Sequence, residues 1–357
     1  MESENKDMIE SNYRRRGTGM KSRRLLIALA AAVSLAMLGL MSPAMAADKC
    51  DRQCLADLMQ KYLGALVKHD PKSLPFADKV KFTENTDKTI EVLEVGKGLW
   101  ETASEGPKEF KIFAADPEAQ AAACLVVMKE KDKDIMLGAR IKLANGKITE
   151  AEHLIVRGGG SMPMNFSQPN LLKSRPGFDE DIPKAEQMKR EDLVRIGLAY
   201  YDALTGEDGT LAPFAKECER RENGMVTAGG APPPAKALPG GAMPTGGFGG
   251  VPRDCEGQLS AGVFSYITEI KPRLVVADVQ KGLAVGFSMF RHDGTRRPPK
   301  PGVTGNTQTY GQFNLAAMHI YKIRNGKLYE IEAPGAVLPY NTKSGWESEE
   351  KVYPKPK

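Results

Sequence analysis

The chain contains an internal repeat, which restricts it to folds built from two copies of one unit. Residues 62–70 (YLGALVKHD) align with residues 200–208 (YYDALTGED) at an offset of 138, and PFA at residues 75–77 recurs at residues 213–215. Nine of the 24 positions from 62 to 85 are identical. Unrelated sequences would share about one or two positions over this length.

The repeat defines the expected organisation of the chain. After the aligned region the offset grows, so that NGKITEAE from Asn145 matches NGKLYEIE from Asn325, and a Gly/Pro-rich insertion accounts for the difference. The predicted segments are a leader (1–46), module one (47–157), a linker (158–185), module two (186–340) with the insertion (224–253), and a C-terminal tail (341–357). The composition of the linker favours a flexible tether.

Each module begins with a helical pattern and continues with strands. Apolar residues recur at spacings of three and four, as expected for the buried face of a helix: Leu55, Leu58, Tyr62 and Leu66, then Leu193, Ile196, Tyr200 and Leu204. Four β-rich runs follow in each module, and Asn-Gly pairs mark a tight hairpin turn before the last run. A helix followed by a long antiparallel meander predicts an α+β fold, with the helix packed in a curved sheet.

The first 46 residues resemble an export signal. Six basic residues between positions 14 and 24 precede an apolar run from Leu25 to Met41, and Ala44-Met45-Ala46 forms a small-residue cleavage site. An uncleaved anchor is the alternative interpretation, although the run is at the lower length limit for spanning a bilayer. The Arg23-Arg24 pair leaves twin-arginine export open beside the general route. We therefore expect a periplasmic or secreted protein without a permanent membrane anchor.

Charge and cysteine content narrow the function classes further. Without the leader, which carries seven basic and four acidic residues, the formal net charge falls from +5 to +2, and no basic cluster suggests nucleic-acid binding. Five cysteines remain, so an oxidising compartment predicts disulfides and at least one free thiol. Cys218 and Cys255 flank the insertion and form the expected pair. The pairing of Cys50, Cys54 and Cys124 stays open, and no metal site is expected.

Three motifs carry a resemblance to a known superfamily. They are Tyr62 followed by Asp70, then FADKVKFTE at residues 76–84, then a meander closed by NGKITE from Asn145. Together they resemble the nuclear transport factor 2-like superfamily, the cystatin-like cone fold of ketosteroid isomerases, scytalone dehydratases and SnoaL-like cyclases. Secreted, uncharacterised tandem SnoaL-like proteins are the most similar group. The resemblance implies two cone-shaped modules and a small organic ligand, and it implies no cofactor.

The resemblance also implies a candidate active site. In the isomerases a tyrosine on the first helix and a second donor hold the enolate oxygen while a carboxylate moves the proton. Carried across, these roles fall on Tyr200, Glu222 and His319 in module two. Module one has Ala139 where module two has His319, so it lacks that donor. Further pocket candidates are Tyr62, Glu84, Trp100, Phe264, Phe287 and Tyr321.

Other interpretations of these residues remain open. His319 shares the apolar face of its strand with Tyr321, so it suits a packed core as well as a pocket. Glu222 follows Glu219, Arg220 and Arg221 and suits a solvated ion-pair cluster. The hypotheses are therefore a cofactor-free lyase or isomerase acting through module two, or a non-catalytic ligand-binding or structural protein with filled cones. The two sheets are candidates for pairing with each other within the chain.

The cleavage site gives a direct prediction. Because the small residues at positions 44 and 46 satisfy the signal-peptidase pattern, the exported protein should begin at Ala47. N-terminal sequencing of protein recovered from the periplasm or medium tests this. An intact leader on the exported protein would instead support the membrane-anchor interpretation.

Overall fold

The computed structural model describes residues 49–158, 164–230, 253–295, 310–351 and 353–354. In this part of the chain the architecture is α+β, with two curled sheets and few helices. The leader at residues 1–46 lies outside the described residues, as do most of the insertion and part of the linker.

Two long helices carry the stripes that the periodicity predicts. The helices among the described residues are α1 (Arg52–Val67), α2 (Leu99–Thr102), α3 (Pro169–Leu172), α4 (Arg190–Gly206) and α5 (Cys255–Ser260). Asp51 caps α1 by accepting a hydrogen bond from the Cys54 amide at 2.8 Å. None of these helices has the length and apolar character needed to cross a membrane.

The first sheet is formed by residues of module one. Its strands are β1 (Phe76–Asn85), β2 (Ile90–Leu93), β3 (Ala103–Glu105), β4 (Lys111–Asp116), β5 (Ala121–Glu130), β6 (Lys133–Ala144) and β7 (Lys147–Arg157). The order is β2-β1-β7-β6-β5-β3, with β4 also paired to β5. All pairs are antiparallel except β1–β7. The predicted Asn145-Gly146 turn joins β6 to β7, and both residues have positive φ.

The second sheet repeats this arrangement in module two and adds a strand from the tail. Its strands are β8 (Phe214–Glu222), β9 (Met225–Ala228), β10 (Glu269–Asp278), β11 (Leu283–His292), β12 (Phe313–Arg324), β13 (Lys327–Ala333), β14 (Gly335–Leu338) and β15 (Tyr353–Pro354). The order is β15-β10-β11-β12-β13-β8-β9, and β8–β13 is again the parallel pair. The sequence patterns located the central strands but not β1 and β8, whose many charged residues obscure the alternation.

The two sheets share one apolar core. Leu125, Val127 and Leu154 of module one belong to the same buried cluster as Val285 and Met318 of module two. Gly138 lies so close to Met318 that a Cβ atom at position 138 would overlap the Met318 sulfur. The outer face of each sheet is therefore covered by the other sheet.

Reciprocal ion pairs join the modules at the edge of this core. Arg52, the first residue of α1, donates to Asp278 at the end of β10, with Nε 2.9 Å from Oδ1. Arg190, the first residue of α4, donates to Asp116 at the end of β4, with Nε 2.8 Å from Oδ2. Arg52 and Arg190 are related by the repeat offset of 138. The same contact therefore occurs twice: the arginine comes from module one in the first case and from module two in the second.

The described part of the linker is packed, whereas its composition suggested a flexible tether. Leu171 and Phe178 are buried in the core shared by the two sheets. Arg175 donates to the Ile331 carbonyl oxygen at 2.9 Å and to Glu332 at 3.1 Å. The Gly, Pro and Ser content indicated a loop here. It could not show that the apolar side chains of this loop pack against the core between the two sheets.

The C-terminal tail returns to module one and inserts Trp346 there. The indole is fully buried, and its Nε1 donates to Thr83 Oγ1 at 2.8 Å. The guanidinium carbons of Arg140 and Arg273 lie 4.6 and 5.1 Å from the ring centroid, one from each module. Trp346 therefore connects the tail to both modules.

Two disulfides cross-link the described residues. The expected Cys218–Cys255 pair is present, with its sulfur atoms 2.06 Å apart, and it links β8 to the start of α5 across the insertion. Cys50 and Cys54 form the second bridge at the start of α1. Cys124 is a free, buried thiol, and burial raises its pKa to about 12.

We expect the Asp278→Ala variant to lose about 3–5 kcal/mol of unfolding free energy, because it leaves the Arg52 guanidinium and the Ala115 amide without their acceptor. Urea denaturation followed by circular dichroism measures this loss. Glu101→Ala removes an exposed pair with Lys97, which water screens, and should leave the denaturation midpoint unchanged. Equal denaturation midpoints for the two variants would contradict the importance of the reciprocal pairs.

Candidate functional site

Module two encloses a cavity of about 320 Å³ beneath its curled sheet. Helix α4 contributes Tyr200, the end of β8 contributes Glu222, and β12 contributes His319, so the three residues proposed from the sequence line one space. The remaining wall is largely aromatic and aliphatic, with Leu204, Phe264, Tyr266, Ile267, Phe290, Tyr310, Phe313, Leu315 and Val337 among its residues. The cavity therefore suits a small, mainly apolar molecule with a few polar groups.

His319 is a neutral histidine held in position by a tyrosine. Its Nδ1 shares a hydrogen bond of 3.2 Å with the hydroxyl of Tyr201, a residue that no sequence motif singled out. Burial, together with the nearby Arg220 guanidinium, lowers the pKa of His319 to about 3. The ring is therefore uncharged at neutral pH, and its role in hydrogen bonding depends on its tautomer.

Tyr200 presents a protonated hydroxyl to the same region. Burial raises the pKa of Tyr200, although the nearby Arg220 charge acts in the opposite direction. The Arg220 Nη1 lies 3.5 Å from the hydroxyl oxygen, and the rings of Tyr200 and His319 are 5.3 Å apart between centroids. Two neutral polar groups therefore lie side by side on one wall.

Glu222 supplies the carboxylate, and a buried arginine holds it. The Arg220 Nε lies 3.1 Å from Glu222 Oε1, while the Glu222 side chain keeps about a quarter of its surface exposed, at 28%. Arg220 is itself 1% exposed, and it also donates to Gln258 and Thr227. Glu222 therefore forms an ion pair with a sequence neighbour; Glu222 lines the cavity, whereas Arg220 is buried and is not a lining residue.

Arg220 was missed because its neighbours in the sequence are charged. Its strand carries one signal, since Cys218, Arg220 and Glu222 share one face of β8 and Cys218 was expected to form a disulfide. His292 precedes a long loop in the sequence, a position that indicates the rim of a pocket. It is buried, and its ring nitrogens contact the carbonyl oxygens of Tyr266 and Tyr310, whose side chains line the cavity.

The same positions in module one form a packed hydrogen-bonded chain. The Tyr62 hydroxyl lies 2.9 Å from His153 Nε2, and His153 Nδ1 lies 2.9 Å from Glu84 Oε2. The Leu99 amide donates to Glu84 at 2.9 Å, and Trp100 packs on the Tyr62 ring with centroids 5.2 Å apart. All of these side chains are buried, and the polar groups of Tyr62, His153 and Glu84 are hydrogen bonded to one another within the core.

His153 alternates out of phase with the apolar Leu154, a pattern that predicts a surface position, and the structure shows that this prediction is wrong. It is 3% exposed, because β7 is covered by the interior of module one on one face and by module two on the other. Alternation distinguishes inside from outside only where one face of the sheet meets water.

The buried histidine lies on different strands of the repeat in the two modules. Ala139 pairs directly with His153 across β6 and β7, whereas module two has His319 on β12 and Ala333 on β13. Phe82 packs on His153 in module one, with ring centroids 4.9 Å apart, and the repeat aligns Phe82 with Arg220. Module two therefore has a buried cation where module one has an aromatic ring.

The other sequence-predicted pocket residues fall in three places. Phe264 lines the module-two cavity, while Tyr321 packs behind it against Tyr200 and stacks on His319. Phe287 lies in the core between the sheets, since it follows Gly286, which is paired with His319, and so points to the opposite face. Tyr62, Glu84 and Trp100 lie in the packed interior of module one.

The cavity contains groups suited to proton transfer near an apolar ligand. A carboxylate at the wall can accept a proton, and neutral Tyr200 and His319 are of the types that donate hydrogen bonds to a developing oxyanion. Among the residues that the structure describes, no group of three or more His, Cys, Asp and Glu side chains could hold a metal ion.

Sequence comparison matches a family model to part of the chain. Residues 186–335 match a family model described as a domain of unknown function, DUF8021, and this match includes every described residue that lines the cavity except Val337. No curated protein matches the chain.

The low pKa of His319 predicts a specific pH dependence of stability. The unfolded chain takes up a proton at this residue below about pH 6.5, whereas the folded protein does so only near pH 3, so the free energy of unfolding falls as the pH is lowered between these values. Between pH 7.5 and pH 5 this contribution is about 2 kcal/mol. His319→Gln should reduce the pH dependence by that amount in urea titrations, and an unchanged dependence would contradict the neutral, buried assignment.

Proposed function

We propose that module two binds a small, mainly apolar organic molecule and catalyses a cofactor-independent proton transfer on it, as a lyase or an isomerase. The observation that carries this proposal is the position of Tyr200, Glu222 and His319 on the wall of one cavity. In the proposed mechanism Glu222 removes a proton from the carbon next to a carbonyl group, and the electron pair of that C–H bond moves onto the carbonyl oxygen to form an enolate. Tyr200 and His319 donate hydrogen bonds to this negative oxygen. In an isomerase Glu222 returns the proton to another carbon of the enolate; in a lyase the enolate expels a hydroxyl group from the next carbon, and this group leaves as water with the proton.

The environment of the site is consistent with these roles. The substrate oxygen needs donors that keep their protons at neutral pH, and burial raises the pKa of Tyr200 and lowers that of His319, so both groups are neutral. Tyr201 fixes the orientation of the imidazole through Nδ1. The apolar wall excludes water, which strengthens every electrostatic contact to the reacting atoms.

The position of Arg220 favours a second candidate, non-catalytic ligand binding. Its ion pair with Glu222 opposes proton abstraction, because the carboxylate loses its attraction to the guanidinium group when it accepts a proton and becomes neutral. In this alternative Glu222 and Tyr200 only orient the ligand. The two candidates agree on the cavity and differ on whether Glu222 changes its protonation state.

The cone-fold resemblance and the compartment belong to the same proposal. Two curled sheets, each associated with a long helix that begins its module, are compatible with two tandem nuclear transport factor 2-like cones of the SnoaL-like type. Two disulfides are typical of proteins outside the reducing cytosol. We therefore place the activity in the periplasm or outside the cell.

A ligand screen followed by one matched pair of variants tests the proposal. Native mass spectrometry with small ketones, enones and hydroxylated ring compounds should find ligands for the wild-type chain, and Val337→Trp, at the cavity wall, should weaken their binding. For any ligand that is turned over, Glu222→Gln should lower kcat by about 10²–10⁴-fold. Glu217→Gln changes an exposed carboxylate on the same strand and should leave kcat unchanged.

The outcomes separate the two candidates. Binding with no turnover, and with affinity changed only modestly by Glu222→Gln, would favour the non-catalytic alternative. Turnover that survives Glu222→Gln would contradict the assignment of the base. Failure of every ligand to respond to Val337→Trp would show that the cavity is not the binding site.

A further inference from the structure

A second space, separate from the module-two cavity, lies where the modules and the tail meet. It is a cleft of about 280 Å³ between β6 of module one, α4 and β10 of module two, and the residues near Lys351. None of the residues that line it lines the module-two cavity, because α4 presents Val194 and Leu198 to the cleft but Tyr200 and Leu204 to the cavity. The cleft is therefore a binding space distinct from the module-two cavity.

The charged residues that line the cleft are mostly basic. Glu349 is the acidic one, and the basic ones are Arg140, Lys142, Arg190, Arg273 and Lys351. The apolar part of the lining includes Val194, Leu198 and Leu274. Such a surface favours an anion, and the aliphatic wall leaves room for an uncharged part of the same molecule.

Acidic residues behind the lining hold these cations in place. Glu150 accepts hydrogen bonds from Arg140 at 2.7 Å and from Lys142 at 3.2 Å. Glu152 is bonded to both Arg140 and Arg273. These carboxylates are not among the lining residues, so they orient the basic side chains without occupying the cleft.

Two nitrogen atoms of the arginines lack acceptors. Arg140 Nη2 and Arg273 Nη1 are buried and make no hydrogen bond with the part of the chain that the structure describes, and their residues are only 2% and 6% exposed. The Glu349 Oε2 atom lies 4.0 Å from Arg273 Nη1, beyond hydrogen-bond range. A buried donor without an acceptor is unfavourable, so both nitrogens are suited to a bound acceptor.

Trp346 contacts both guanidinium groups through its aromatic ring. The indole lies against Arg140 and Arg273, with their central carbons 4.6 and 5.1 Å from the ring centroid. A guanidinium group in contact with an aromatic ring through its face can still donate from its edge. The edge is the part that binds oxyanions, often through two parallel hydrogen bonds.

We propose that this cleft binds a small oxyanion, a molecule that carries a phosphate or carboxylate group. Arg140 and Arg273 supply the buried donors at its inner end, and Lys142 and Lys351 add positive charge at its rim. The proposal is independent of the activity proposed for module two, because it uses none of the residues of that cavity.

Isothermal titration calorimetry on the mature chain tests the proposal with sodium phosphate, pyrophosphate and citrate at constant ionic strength. We expect saturable binding of at least one of them. Phosphate or pyrophosphate binding without citrate binding identifies a phosphate-bearing ligand, and the reverse identifies a carboxylate. No saturable binding of any of the three up to about 10 mM would overturn the proposal.

A pair of double variants controls for general attraction between a basic protein and an anion. Lys142→Gln with Lys351→Gln removes two rim charges while keeping the buried arginines, and it should weaken binding at least about tenfold. Lys147→Gln with Lys327→Gln removes the same charge from the exposed first residues of β7 and β13, and it should change affinity by less than about twofold. Equal weakening by the two double variants would show non-specific attraction and overturn the site.

Discussion

Asp116 and Asp278 are the carboxylates on which the arrangement of the two sheets depends. Each is almost fully buried at a strand end, and each accepts hydrogen bonds from an arginine and a backbone amide of the other module: Arg190 and Ala277 for Asp116, Arg52 and Ala115 for Asp278. A buried carboxylate is tolerated only when its charge and lone pairs have partners, so each module completes the other. The common core, the packed linker and Trp346 all lie at the junction of the modules that these pairs join.

Within that symmetric arrangement the two interiors differ. In module one, Tyr62, His153 and Glu84 are hydrogen bonded to one another, and Trp100 packs against Tyr62. In module two the histidine lies on the neighbouring strand, Tyr201 is its partner, and Arg220 takes the carboxylate. The polar side chains of module two do not form one continuous chain of hydrogen bonds, and Tyr200, Glu222 and His319 line a cavity. The two copies therefore share their strand order, but different side chains fill the interior of module one and line a cavity in module two.

Much of the fold follows from local patterns in the sequence. The stripe of Leu193, Ile196, Tyr200 and Leu204 predicts α4, and the Asn-Gly pairs predict the turns that join β6 to β7 and β12 to β13. The strand β8 shows no such pattern, because six of its nine residues are charged and they lie on both of its faces. The sequence predicted Tyr200, Glu222 and His319 as site residues. It did not predict that Tyr201 would be hydrogen bonded to His319 or that Arg220 would contact both Tyr200 and Glu222.

The sequence alone determined the repeat, the helix-then-strand order of each module and the disulfide that closes the insertion, because these depend on residue spacing along one segment. Only the tertiary structure decided that His153 is buried, that Phe287 faces the other module and that Arg140 and Arg273 meet at Trp346. Side-chain alternation assigns a residue to one face of a strand, but it carries no information on what covers that face. In this protein both faces of the central strands are covered, one by a helix and the other by the second copy of the same unit.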